Sequence, residues 1–346
     1  MKAIVTIQHP AHVHFFKHPI TELVTKGHSV YVFYREGQLI EELLNAYDIE
    51  ATKLVSPADG TISTVATQLK YEYSLYQNAY QIQPDLITAV GGIAATHVAK
   101  AVGATSVVFT DSGDHAPLNR IGTKFADVVC TPSCLSTSYG DKQIHYDGYH
   151  ELAYLHPNWF EPDRSSLSEL DVDVNEPYSL VRFISWKAQH DIGQSGFSME
   201  KQRELVDELD QFGEVYITME GELPSEFESY QLPVPPEQIH QLLSFANLYI
   251  GDSQTMATEA AILGTPSIRS NSFAGEDDMD NFIELEQKYG LLYSTPESEE
   301  AISKAIELGN QTNIKEKWEQ KREQLLLEKI DVTPYVVELL QREGQK

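Results

Sequence analysis

The chain has 346 residues, more than one ordinary core and suited to two domains of about 150 residues each. With 41% hydrophobic and 22% charged residues and no low-complexity tract, it has the composition of a globular protein that folds without a partner. Its formal charge of −27 is spread along the chain, which excludes binding of nucleic acid or an anionic membrane surface through a basic patch and is compatible with a salt-adapted organism.

Short β-rich apolar runs alternate with amphipathic helical patterns over the first half. Strands are expected at 3–7, 29–34, 49–54, 85–90, 105–109, 127–131 and 143–147, and helices at 14–25, 38–47, 64–82, 93–101 and 117–125. Gly27 stops the first helix, and Pro84 separates the long third helix from "DLITAV". The pattern fades between 148 and 177, a proline-rich, charged connector with one short element. A second alternation follows, with strands at 178–185, 214–218, 247–251 and 266–269 and helices at 199–210, 236–245, 254–263, 279–288 and 297–308. The C-terminal stretch is helical on both sides of Pro334. The fold class expected is therefore α/β, with two Rossmann-like, doubly wound parallel-sheet domains facing a cleft. Their bounds are 1–160 and 161–330, and a helix over 331–346 is free to pack back on the first domain.

No apolar run approaches the roughly 18 residues of a membrane span, and strand-like "AIVTI" starts at once without a signal-peptide core. A cytoplasmic protein without an integral membrane segment is expected. Cys130 and Cys134 lack the paired spacing of a zinc site and read as two reduced thiols.

In sheets of this kind ligands bind where strand C-termini meet helix N-termini. Five such loops carry polar residues: "QHPAHVH", "GGIAAT", "TDSGDHA", "SWKAQHDIGQSG" and the turn within "YIGDSQTMATEAAILGTPSIRS". In the last, Asp252, Ser253 and Thr255 are good caps for a helix that Gly264 and Pro266 end. An uncovered helix N-terminus offers N–H groups and a positive dipole end to a phosphate. Glu259, one turn further on, would lie beside a bound diphosphate. The same pattern also fits a well-capped core helix with Glu259 in solvent.

Four histidines fall in the first eighteen residues: His9, His12, His14 and His18. His14 and His18 are one helical turn apart, but no carboxylate or thiol accompanies them, so no metal site is expected. A neutral imidazole at His12 suits proton abstraction from a sugar hydroxyl. Asp111 and Asp114 are the carboxylates available to orient it; both also suit loop capping. Lys187 offers charge to a leaving diphosphate, with Arg182 as a second source, and His190 offers a hydrogen bond. Asn271 and Glu276 follow the next strand, where a resemblance to GT-B nucleotide-sugar enzymes would imply contact with a donor sugar.

The run "PPEQIHQLLSFANLYIGDSQTMATEAAILGTPSIRS" resembles the donor half of GT-B nucleotide-sugar enzymes, especially non-hydrolysing UDP-N-acetylglucosamine 2-epimerases and the glycosyltransferase that makes lipid II. The resemblance implies that Ser253, Gln254, Thr255 and Met256 form the donor-phosphate turn and that Glu259 holds the ribose, although the glycines usual in that turn are absent. "HPAHVHFFKHPITELVTKGHSVYVF" is similar to the first strand, loop, helix and strand of GT-B transferases, where a His matching His12 begins the helix; Asp111 falls where some of those enzymes keep its partner. Over nearly its whole length, through "HPAHVHFFK", "DGYHELAYLHP", "RFISWKAQHDIGQ" and "ATEAAILGTP", the chain also resembles the prokaryotic family of domain of unknown function 354, well represented in archaea.

Together these imply a glycosyltransferase moving a sugar from a nucleoside diphosphate, UDP most of all, to a hydroxyl acceptor in surface polysaccharide, glycolipid or glycoprotein synthesis. No cofactor or metal is implied. A nucleotide-sugar epimerase or hydrolase, or a non-catalytic nucleotide-sugar binding protein, is the alternative. Against an epimerase, "GGIAAT" and "SWKAQHDIG" stand where that family keeps a "GDT" sequence and a His-Arg-Glu loop. The sequence leaves the sugar, acceptor and oligomeric state open.

Overall fold

The computed structural model describes residues 1–37, 39–56, 61–113, 122–168, 170, 172–184, 196–219, 221–232, 234–275 and 278–345. These form two compact units, Met1–Phe160 with Lys329–Lys346, and Glu161–Glu328.

In the first unit the strands are β1 (Lys2–Ile7), β2 (Ser29–Arg35), β3 (Ala51–Val55), β4 (Leu86–Val90), β5 (Thr105–Phe109), β6 (Val128–Pro132) and β7 (Gln143–Tyr146). They make one parallel sheet in the order β3-β2-β1-β4-β5-β6-β7. The crossovers include helices α1 (Pro10–Thr25), α2 (Ile40–Ala46), α3 (Thr61–Ile82) and α4 (Ile93–Val102). Past the exposed Lys2, the central strands β1, β4 and β5 are buried over nearly all their length and rich in Ile, Val, Leu, Ala and Phe, as central parallel strands are, with only small hydroxyl residues interrupting. Two short helices, α5 (Leu152–Leu155) and α6 (Arg164–Ser168), replace the single element expected in the connector. Of the helix expected at 117–125, residues 117–121 lie outside the described residues, and 122–125 are helical.

In the second unit β8 (Tyr178–Phe183), β9 (Glu214–Met219), β10 (Leu248–Gly251), β11 (Ser267–Ser270) and β12 (Leu292–Thr295) form a parallel sheet in the order β12-β11-β10-β8-β9. Helices α7 (Met199–Leu209), α8 (Ile239–Phe245), α9 (Gln254–Leu263), α10 (Asp280–Ile283), α11 (Ser298–Gly309) and α12 (Ile314–Glu328) surround it. Strand β12 was not anticipated: four residues between Gly290 and Pro296 give too short a run to read against the neighbouring helices. The expected helix at 279–288 is a turn of α-helix continued by a π-helical turn, Glu284–Lys288.

The last helix, α13 (Val332–Glu343), belongs to the first unit. Asp331 caps it, accepting the Thr333 N–H, and its carboxylate also accepts from Trp159 Nε1 and Asn158 Nδ2, both at 2.8 Å, and faces His156 Nδ1 at 3.7 Å. Thr333 donates its hydroxyl to the Ala153 carbonyl at 2.6 Å. The helix break thus falls at residues 329–331, and Pro334 sits in the first turn, where its missing N–H costs nothing. Cys130 and Cys134 are both free thiols. No helix among the described residues is long and apolar enough to cross a membrane.

Candidate functional site

Each sheet has one point where the chain reverses its direction of spread, between β1 and β4 in the first unit and between β8 and β10 in the second. The crevice outside the strand C-termini at such a point is where an open α/β sheet binds its ligand. Of the residues singled out from sequence, His12 opens the helix that follows β1, and the 253–256 turn opens the helix that follows β10.

In the first unit, His9 caps α1 by accepting the Ala11 N–H on Nδ1 at 3.1 Å, and Pro10 occupies the first helical position. His12 stands in the first turn. Its Nδ1 accepts the Gln8 N–H at 3.3 Å, so its neutral ring carries the proton on Nε2. Burial, then the proximity of His9 and His150, holds the imidazole well below its usual pKa, which keeps it neutral. Across the switch point, Gly91 and Gly92 both have positive φ, and a β-carbon at Gly92 would come 2.9 Å from that of Ala89. Glycine is needed there for the tight entry into α4.

Asp111 lies just past β5. The sequence offers it as the partner of His12, but no hydrogen bond or ion pair joins the two; its Oδ2 faces His150 Nδ1 at 3.4 Å, and its Oδ1 accepts the Ser112 hydroxyl at 3.0 Å. His150 precedes α5 and is buried between Phe15, ring centroids 4.8 Å apart, and Tyr146, stacked at 6.4 Å. Burial lowers its pKa, and Asp111 opposes that shift. With Nδ1–H turned to the carboxylate, His150 keeps a lone pair on Nε2, and this buried atom has no hydrogen-bond partner among the described residues. His150 was missed as a site residue. Its only sequence signal was its place in "DGYHELAYLHP".

His14 is buried, hydrogen-bonded through Nδ1 to Tyr47 Oη at 3.2 Å and stacked on Tyr154 at 5.3 Å, so its ring is spent on packing. His18 stacks on Trp159 at 4.8 Å. One helical turn apart, the two rings are engaged by different aromatic neighbours.

In the second unit, Ser253 caps α9 by accepting the Met256 N–H at 3.4 Å. Ser253, Gln254, Thr255 and Met256 are partly exposed, whereas every residue from Ala257 to Leu263 is buried, so the first turn is the accessible part of this helix. Asp252 does not cap it. Its Oδ1 accepts the Ile184 N–H at 2.7 Å and ties β10 to the end of β8. Gly251 has no room for a side chain, because a β-carbon would meet the Arg182 carbonyl and the Tyr249 hydroxyl.

Glu259 is neither in solvent nor alone beside the turn: it is buried, with Oε1 2.9 Å from Nε2 of His240, itself buried on α8. His240 is the second residue the sequence did not flag, since nineteen residues separate the pair and α8 reads simply as amphipathic. Asn271 is also buried; its amide donates to the Asp252 carbonyl at 2.9 Å and accepts the Phe273 N–H at 3.1 Å, so the backbone occupies the group expected to reach a sugar. Arg182 donates to Thr218 Oγ1 at 2.7 Å. Lys187, His190, Asp114 and Glu276 lie outside the described residues.

Two doubly wound parallel sheets, each with a polar, helix-opening turn at its switch point, define a two-domain α/β protein of the GT-B type. The solved structures agree in fold. The chain is similar to a putative UDP-N-acetylglucosamine 2-epimerase from Listeria monocytogenes at 11% identity and a TM-score of 0.65, over 92% of this chain and 90% of that one. It is similar to MurG of Acinetobacter baumannii at 16% identity and 0.58, over 99% and 100%. Against the glycosyltransferase VinC, solved with dTDP, the figures are 14%, 0.64 and 100% of both chains. No curated protein matches the chain. Residues 1–340 match the family described as "Protein of unknown function (DUF354)", and the chain belongs to that family.

Proposed function

We propose that the protein is a glycosyltransferase that moves a sugar from a nucleoside diphosphate to a hydroxyl acceptor. The observation that carries the reading is the second unit's turn: an accessible, Ser253-capped helix start at the switch point, with the Glu259 carboxylate held one turn inside by His240. The N–H groups of Gln254 and Thr255 would receive the diphosphate, beside the Ser253 hydroxyl that holds the Met256 N–H, and Glu259 the ribose hydroxyls. Lys187 would add charge as the diphosphate departs, so that no metal is called on in this scheme. Solved GT-B neighbours that carry UDP or dTDP by title support a nucleoside diphosphate as ligand, with UDP preferred. A cytoplasmic setting, where such donors are made, goes with this reading.

In the first unit the acceptor hydroxyl would meet the histidine cluster. His12, its Nδ1 engaged by Gln8, would hold the hydroxyl oxygen through Nε2–H. His150 Nε2 would take the proton, and Asp111 would stabilise the imidazolium formed. This moves the base from His12, where the sequence puts it, to its neighbour. The test is a thermal-shift screen of UDP, GDP, CDP and dTDP sugars on wild type and Glu259→Gln, which keeps a hydrogen-bond partner for His240. A true ligand at ~100 times its Kd adds roughly 2.7 kcal/mol. One nucleotide should shift the wild type and fail to shift the variant; a folded protein that responds to none of them refutes the reading. Product analysis then separates transfer from the epimerase or hydrolase alternative, which would change the donor with no acceptor present.

A further inference from the structure

Helix α3 packs its buried side, Thr67, Tyr71, Leu75 and Ala79, against the first unit. Its outer side is apolar too. Val65, Leu69, Tyr73 and Tyr80 are 61%, 62%, 63% and 62% exposed, and Tyr76 is 37% exposed. At about 100° per residue these five fall within an arc of about 80°, forming a seam about 22 Å long. A surface helix ordinarily turns charge to water on this side. Here the opposite holds. A helix of 22 residues from a chain with 52 acidic residues in 346 would carry about three acids by chance, and α3 carries one, Glu72, balanced by one base, Lys70.

We infer that this seam is the interface on which two copies of the chain associate. Any protein partner must approach a surface of net charge −27, and a second copy brings the same charge. Two like-charged copies meet with least repulsion where each is neutral and apolar, as along α3. The spacing suits a two-fold axis. The steps along the seam are four, four, three and four residues, so an antiparallel pairing centred near Tyr73 sets Val65 on Tyr80 and Leu69 on Tyr76, and brings Tyr73 onto its own copy. Gln77 Nε2 donates to the Tyr73 hydroxyl at 3.0 Å, fixing that ring. The five side chains expose roughly 100 Å² each, about two-thirds of the ~800 Å² per partner found in a standard interface; the flanking residues of α3 supply the rest. A lipid surface fits less well, because a helix lying on a membrane gathers Lys and Arg beside its apolar face and α3 has a single Lys.

Light scattering after size exclusion, on the full chain at micromolar concentration, tests this at ~0.1 M and ~1 M salt. The expected mass is twice 38.9 kDa, with tighter association at high salt, where the repulsion between the two acidic bodies is screened. Leu69→Glu and Tyr73→Glu should each weaken association at least ~100-fold. Leu327→Glu, at an 87% exposed apolar residue off the seam, should not. Tyr73→Cys should form a disulfide with its own copy under oxidation, while wild type does not, which also covers a Glu variant that fails to fold. A monomer at every concentration and salt, a dimer indifferent to both Glu variants, or no Tyr73→Cys cross-link would overturn the inference. So would a monomer that binds neutral phosphatidylcholine vesicles and loses that binding in Leu69→Glu.

Discussion

Removing His240 should unsettle the donor helix more than any exposed change in that turn. The Glu259 carboxylate is buried and its Oε1 sits 2.9 Å from His240 Nε2, so His240→Ala leaves a desolvated carboxylate without this partner. Removing one partner of a buried hydrogen bond to a charged group costs about 1–3 kcal/mol. Glu259→Gln keeps an oxygen and an amide at the same place and should cost about 1 kcal/mol. Replacing both residues with Leu removes the charge together with its partner and should recover most of the loss. The assay is urea unfolding followed by tryptophan fluorescence in a Trp159→Phe background, where the remaining tryptophans belong to the unit containing the pair. A double-mutant cycle on Glu259→Ala and His240→Ala should give a coupling of about 2 kcal/mol. The two single costs adding within ~0.5 kcal/mol, or His240→Ala costing under ~1 kcal/mol, would refute the argument. The same variant should also weaken the nucleotide-induced thermal shift, because the carboxylate assigned to the ribose loses the contact that orients it from α8.

Three further outcomes are expected. Thiol reagents at pH 8 should label the half-buried Cys134 and spare Cys130, whose thiol burial pushes up to about 12 and whose Sγ is 3.7 Å from the Tyr335 hydroxyl; equal labelling in the native state, read by mass, would contradict this. Burial, and then Lys17, lowers His18 to about 4 against a free value of 6.5, so the unfolded chain binds the extra proton first. Stability should therefore fall as pH drops from about 6.5 to about 4, by up to ~2 kcal/mol after allowing for a partly solvated ring, and His18→Gln should flatten that slope in urea titrations. Because Asp111 is the group that raises His150 against burial, Asp111→Asn should move the acidic limb of the transfer rate to lower pH while lowering its plateau; an unmoved limb would take Asp111 out of the proton path.

The sheets were legible in the sequence because central parallel strands are apolar on both faces and their helices carry strong stops. Gly27 and Gly264 both take the positive φ that ends a helix, and the run from β10 through the Ser253 cap to Gly264 reads directly from residue types. What the sequence could not supply is who faces whom. Asp111 was assigned to His12 because both follow strands of one sheet, yet β4 lies between β1 and β5, and His150, arriving after β7, stands at the carboxylate instead. For Glu259 local periodicity allows a ligand or solvent; the third fate, a buried pair with a residue on the preceding helix, needs the packing of α8 against α9. Asp252 likewise reads as a cap but ties two strands together. The errors share one cause. A polar residue beside a strand end is marked by its sequence as needing a partner, and tertiary contacts decide which partner that is. That pattern explains why both residues missed from the candidate sites, His150 and His240, are histidines that complete a carboxylate already picked out. A carboxylate drawn from the surface into a crevice must be matched by something close enough to hold it, and an imidazole nitrogen brought up by a neighbouring element does so at both places.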